Sequence, residues 1–159
     1  MEKQNSGKDL EGLLVVTVEQ AVAAPYTSCR LADAGARVIK IERPEGDFAR
    51  NYDSNALGNS AYFVWLNRGK ESISLDLKNT EDFKIFENII SKSDILIQNL
   101  APGAFDRLGL DLNELRKKYP SLITCSISGF GDEGPYKNQK AYDMFCLLYT
   151  SDAADELLG

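Results

Sequence analysis

The chain contains no histidine. That absence removes a Ser-His triad, a histidine general base and a histidine-held metal from the chemistry these residues can do by themselves. Cysteine is scarce as well. Cys29, Cys125 and Cys146 share no metal-binding or redox spacing, so no metal is expected, and an odd, sparse set fits a reducing cytoplasm. The triphosphate loop G-x-x-x-x-G-K-[ST] is missing, and the glycines of residues 129–135 (GFGDEGP) read as an ordinary turn. No apolar run approaches the length that spans a bilayer, and Met1–Asp9 lacks the apolar core of a signal peptide. Positive charge is in deficit too. Eighteen Lys and Arg stand against 24 Asp and Glu, a net −6, which argues against non-specific nucleic-acid binding.

What is present is a soluble chain's ordinary mixture, 43% hydrophobic and 26% charged over 159 residues, about one domain's worth. The stretch Leu13–Asp47 organises it. An apolar run, a turn of small residues, an amphipathic segment opened by Pro25 and stopped by Gly35, and a second apolar run ending in charge make a βαβ unit. Further strands are expected over Ser72–Leu77, Asp94–Gln98 and Leu122–Ser126. A helix capped by Asn79 carries the stripe Phe83, Phe86, Ile89 and Ile90. Ala104–Leu108 and Leu112–Lys118 read as short helices, and Ala61–Leu66 is apolar without a clear period. The fold class is therefore α/β, a parallel Rossmann-like sheet with flanking helices. Residues 1–10 read as a disordered N-terminus.

In such sheets ligands bind off the carboxyl ends of the strands. Four polar clusters are expected there or in nearby loops: Arg43; Asn67, Arg68 and Lys70; Asn99 with Arg107; and Lys140 with Tyr142 and Asp143. Singly each is an ordinary surface group, but together they point to an anionic, nucleotide-like ligand. Glu42, Glu45 and Asp47 read as a solvated loop mouth, and Tyr62, Phe63 and Trp65 as core.

Several spaced segments also agree in order with one family. They are Ala24-Pro25, the run from Gly35 to Pro44, Asn67–Lys70, Leu75–Lys78, Asn99 with Pro102-Gly103, Arg107–Gly109 and Ser128–Gly131. In these the chain, from about Leu10 to Phe145, resembles the N-terminal part of the class III CoA-transferases (CaiB/BaiF), the formyl-CoA and carnitine CoA-transferase type. That family also contains α-methylacyl-CoA racemase. The resemblance implies an acyl-CoA:carboxylate CoA-transferase, with a coenzyme A thioester and a carboxylate as substrates and no tightly bound cofactor. It implies that Arg43 and Arg107 hold the CoA phosphates, and that Asn67, Arg68 and Lys70 line the nucleotide groove. Asn99, Leu100 and Ala101 would follow the pantetheine arm, and Lys140, Tyr142 and Asp143 would touch CoA beside the active site. Gln20, Ala21 and Val22 are the acyl-site candidates.

The transferases' nucleophile is an aspartate downstream of the Tyr142-Asp143 motif, which takes the acyl group as an anhydride and then CoA as a thioester. It is not in this chain, so no catalytic residue is assigned and this piece is expected to be inactive alone. The racemases place a histidine base where Tyr142 stands, which disfavours that alternative; a non-catalytic CoA- or nucleotide-binding module is the other. Residues 11–145 are expected to be an incomplete CoA-binding domain of a parent that forms an interlocked homodimer. The string Cys146–Glu156 reads as the in-frame translation of a transposase-type sequencing adapter, so residues 146–159 are expected to be non-native.

Overall fold

A computed structural model describes residues 7–131 and 133–139. Among these, five strands form one parallel sheet: β1 (Leu14–Val18), β2 (Arg37–Glu42), β3 (Lys70–Ser74), β4 (Ile95–Gln98) and β5 (Ile123–Ser126). Their spatial order is β3-β2-β1-β4-β5, the doubly wound arrangement whose order reverses between β1 and β4. Pairing runs from Leu14 opposite Arg37 to Val18 opposite Ile41, and from Val15 opposite Ile95 to Val18 opposite Gln98.

Helices cover both faces. On one lie α1 (Ala23–Asp33) and α2 (Ala61–Asn67); on the other lie α3 (Thr80–Ile90), the single turn α4 (Ala104–Arg107) and α5 (Leu112–Lys118). Because side chains alternate along a strand, β1 sends Val16 and Val18 into a core with Ile41, Leu96, Phe86, Ile90, Phe105 and Leu115. It sends Val15 into a second core with Val38, Ile97, Ala24 and Ala36. Gly35, at φ 106°, ends α1 in the left-handed conformation, and the Asn79 side chain accepts the N–H groups of Glu81 and Asp82 at the start of α3.

Several sequence expectations need correction. The third strand is Lys70–Ser74, starting two residues and ending three residues earlier than the alternating pattern Ser72–Leu77 predicts. Leu75 and Leu77 prolong the alternation because both are buried, but the chain leaves the sheet there. Leu75 N–H makes one last bond to Glu42 O (2.8 Å), and residues 76–79 turn on the Asp76 side chain and carbonyl. Ala61–Asn67 is a helix, capped by Ser60, and only Leu66 of it is fully buried. Tyr62 and Trp65 are half-exposed, so they are surface rather than core. They sit in a run of ring contacts from Tyr26 through Trp65, Tyr62 and Tyr52 to Phe48. Leu10, expected in a frayed terminus, donates its N–H to Ala34 O (3.0 Å) and packs on the second core. The reading of residues 129–135 as an ordinary turn needs no such change: Gly129, Gly131 and Gly134 have the spacing of a dinucleotide-binding loop, but the described residues 133–139 form turns and bends and not the helix such a loop opens.

Replacing Asn79 by Ala removes both acceptor contacts at the start of α3. It is expected to lower stability by about 1 kcal/mol, read as a shift of the urea midpoint at constant slope.

Candidate functional site

Two neighbouring clefts open at the carboxyl ends of the strands. The larger, about 500 Å³, is lined by the ends of β1 and β2, by the loop Arg43–Asp47, by Leu75–Lys78 and by Leu100 and Leu108. The smaller, about 380 Å³, lies off β4 and β5 between Leu100–Gly103, Asp111–Asn113 and Ser126–Ser128. Leu100 borders both. These clefts flank the point where strand order reverses, which is where the fold presents ligands.

Arg43 stands at the mouth of the larger cleft. Its side chain is 58% exposed and its Nε lies 3.9 Å from the exposed Glu45 carboxylate. Nε also donates to Gly46 O at 3.0 Å, which aims the guanidinium and leaves its terminal N–H groups for an anion. Arg107 is exposed between Asp106, which lines the smaller cleft, and Leu108, which lines the larger. Gln20 lines the larger cleft and Ala101 the smaller. Ala21 and Val22 follow Gln20 in the same turn and are partly buried. Lys140, Tyr142 and Asp143 lie outside the described residues.

The expected Asn67–Arg68–Lys70 cluster does not converge on these clefts. All three precede or open β3, at the amino edge of the sheet. Arg68 donates to Asp33 at 2.6 Å, where α1 ends. Lys70 turns inward: its side chain is 2% exposed and its ammonium is 2.7 Å from Glu19, whose side chain is 0% exposed. The same ammonium reaches Pro25 O (2.8 Å) and Asn67 Oδ1 (3.3 Å). Lys70 therefore lines neither of these two clefts. Burial pulls its ammonium below the ordinary lysine pKa, and the Glu19 charge opposes that without cancelling it.

Asn67 Oδ1 also accepts from Lys40 at 2.9 Å. Lys40 is buried in the middle of β2 and pairs with Asp47 at 2.7 Å, and Asp47 accepts the N–H groups of Ala21 and Ala49. Ser28 Oγ donates to Glu19 at 2.7 Å. Two lysines and two carboxylates thus form one buried network bridged by Asn67, with its donors and acceptors engaged as burial demands. Glu42 is likewise buried, which corrects the solvated reading of Glu42 and Asp47; only Glu45 remains exposed.

The model of CoA-transferase family III matches residues 10–151. The chain belongs to that family. It is 46% identical over 134 residues to the acetyl-CoA:oxalate CoA-transferase of Acetobacter aceti, covering 84% of this chain and 34% of that protein. It is 34% identical over 141 residues to human succinyl-CoA:glutarate CoA-transferase, covering 87% of this chain and 32% of that one. The crystal structure of a CAIB/BAIF family protein from Brucella suis superposes with a TM-score of 0.81 at 38% identity, over 89% of this chain and 39% of that chain. This family III chain thus spans about a third of the length of the curated relatives it matches.

Sequence reasoning passed over two lysines. Lys78 lies on the lining of the larger cleft, and its signal was its place just past the end of the third strand. Lys40 interrupts the apolar run Val38–Ile41, and a charge in such a run signals a buried partner.

Burial alone would raise the Glu42 carboxyl. Hydrogen bonds from Arg50, Ser72 and the Asp47 N–H, with the Arg50 charge, outweigh it and hold Glu42 at about 2. A carboxyl depressed in the folded state contributes stability that is complete above its unfolded pKa and lost as pH falls through the folded one. The chain is therefore expected to lose stability progressively from about pH 5 to about pH 2. Glu42→Gln should flatten that slope while lowering stability at pH 7, measured by urea denaturation across pH.

Proposed function

We propose that this chain is the N-terminal, CoA-binding part of an acyl-CoA:carboxylate CoA-transferase, and that the larger cleft receives coenzyme A. The observation that carries this reading is Arg43. In a chain of net charge −6, an oriented and exposed guanidinium stands at a cleft off the carboxyl ends of β1 and β2, and Lys78 contributes to the same lining. Guanidinium geometry suits a phosphate or pyrophosphate. The family and the names of the relatives point the same way, since they are CoA-transferases acting between CoA thioesters and dicarboxylates.

In this reading Arg43 and Arg107 bind the CoA phosphates, and Leu100, which borders both clefts, and Ala101, which lines the smaller, follow the pantetheine arm from one to the other. Gln20, Ala21 and Val22 face the acyl end. Lys140, Tyr142 and Asp143 keep the role the family resemblance gives them. The nucleophilic aspartate belongs to the longer parent, which works in acyl-CoA metabolism in the cytoplasm as an interlocked homodimer, with no tightly bound cofactor. Among the described residues no helix is long and apolar enough to cross a membrane.

Calorimetric titration with coenzyme A tests this. The chain should bind CoA, and Arg43→Ala and Arg107→Ala should each weaken binding about tenfold to a hundredfold, the range for losing a charge-assisted hydrogen bond. Binding that is absent, or indifferent to both substitutions, would overturn the reading.

A further inference from the structure

The turn after β1 runs against its own backbone preference. Ala21 has φ 63°, in the left-handed region that glycine enters freely and an alanine does not. Side chains from two other loops hold it there. Asn99, the first residue past β4, accepts the Gln20 N–H through Oδ1 at 2.9 Å and donates from Nδ2 to the Gln20 carbonyl at 2.9 Å. Asp47 Oδ1 accepts the Ala21 N–H at 3.2 Å. Three successive backbone polar groups are thus bound by side chains distant in sequence. Asp47 is itself fixed, since Lys40 donates to its Oδ2 at 2.7 Å and Ala49 N–H to its Oδ1 at 2.9 Å.

These contacts join the loops that face the larger cleft. Gln20 and Asp47 both line it, and Arg43 shares the loop with Asp47. The Asp47–Ala21 bond ties the β2 loop to the β1 turn, and the Asn99 pair ties that turn to the end of β4 across the point of strand reversal. We propose that Asn99 and Asp47 are positioning residues, which hold Gln20-Ala21 in the left-handed turn so that its backbone meets an acyl-CoA as a preformed wall of the cleft. The proposal rests on the CoA reading of that cleft. Asn99 acts through Gln20, because both ends of its amide face the Gln20 backbone. If the turn had to find this conformation at the moment of binding, apparent affinity would fall by the fraction of chains already in it.

Two measurements on the whole chain test this together: amide hydrogen exchange, and titration with coenzyme A. In Asn99→Ala, the Gln20 and Ala21 amides should exchange at least about tenfold faster while Val16 and Val18 in β1 keep their protection. CoA affinity should fall about tenfold, equivalent to about 1.4 kcal/mol. Adding Ala21→Gly to Asn99→Ala should recover most of that loss, because glycine takes the left-handed conformation without a clamp; a purely structural role for Asn99 would not be rescued there. Ala21→Val leaves Asn99 intact and needs no change in the core, and it should weaken CoA binding by a similar factor. Unchanged exchange at Gln20 and Ala21, or loss of protection at Val16 and Val18 with them, overturns the proposal. Binding weakened by Arg43→Ala but not by Asn99→Ala or Ala21→Val overturns it and leaves the CoA reading standing. A chain that does not bind CoA, or whose binding ignores Arg43→Ala, overturns both.

Discussion

The interaction on which the rest depends is the buried chain of charges from Glu19 through Lys70, Asn67 and Lys40 to Asp47. It crosses three neighbouring strands beneath the cleft, and each member comes from a different place: the end of β1, the start of β3, the end of α2, the middle of β2 and the loop after it. Isolated buried charges are prohibitive, and removing one partner of such a pair costs roughly 3–5 kcal/mol. The network therefore permits only arrangements in which all five segments meet. The loop after β2 and the turn after β1 consequently have one mutual placement.

That placement gives the carboxyl edge its chemical character. Beside the network, Glu42 is gripped by Arg50 and Ser72, and Arg50 lies over the Phe63 ring at 3.9 Å. The buried acids on the cleft lining, Glu19, Glu42 and Asp47, are thus neutralised from within, while Glu45, 3.9 Å from Arg43 Nε, and Asp76 stay exposed. A cleft mouth carrying Arg43, with Lys78 on the lining, can then attract an anion although the chain as a whole is negative. Local compensation of charge, and not the net total, decides which ligand such an edge accepts.

Much of the fold was legible in the sequence. Three of the strands, β1, β2 and β4, are largely buried, and β5 at the end of the strand order is partly exposed, yet the apolar runs Leu13–Val18, Val38–Ile41, Asp94–Gln98 and Leu122–Ser126 each lie within one residue of the observed spans at either end. Pro25, Gly35 and Asn79 mark helix ends by chemistry that is local. The third strand was misplaced because burial of Leu75 and Leu77 continues a two-residue period after hydrogen bonding has stopped. For α2, seven residues without a polar face give no period to read. In the site, Arg43 was legible because it follows directly from a strand end. Lys70 was not, because its partner Glu19 is 51 residues away, and no local pattern tells an outward lysine from an inward one. The clamp on Ala21 was invisible for the same reason: both residues that hold it arrive from elsewhere in the chain.

The carboxyl edge over β1 and β2, and not Arg68 at the opposite edge, is where we propose that coenzyme A binds. Amide chemical-shift mapping during a CoA titration tests it most directly. Perturbations concentrated at Gln20, Arg43–Asp47, Leu75–Lys78 and Leu100, with Arg68 and Asp33 unmoved, are the expected result. Perturbations centred on Arg68 and Asp33, with the cleft silent, would contradict it.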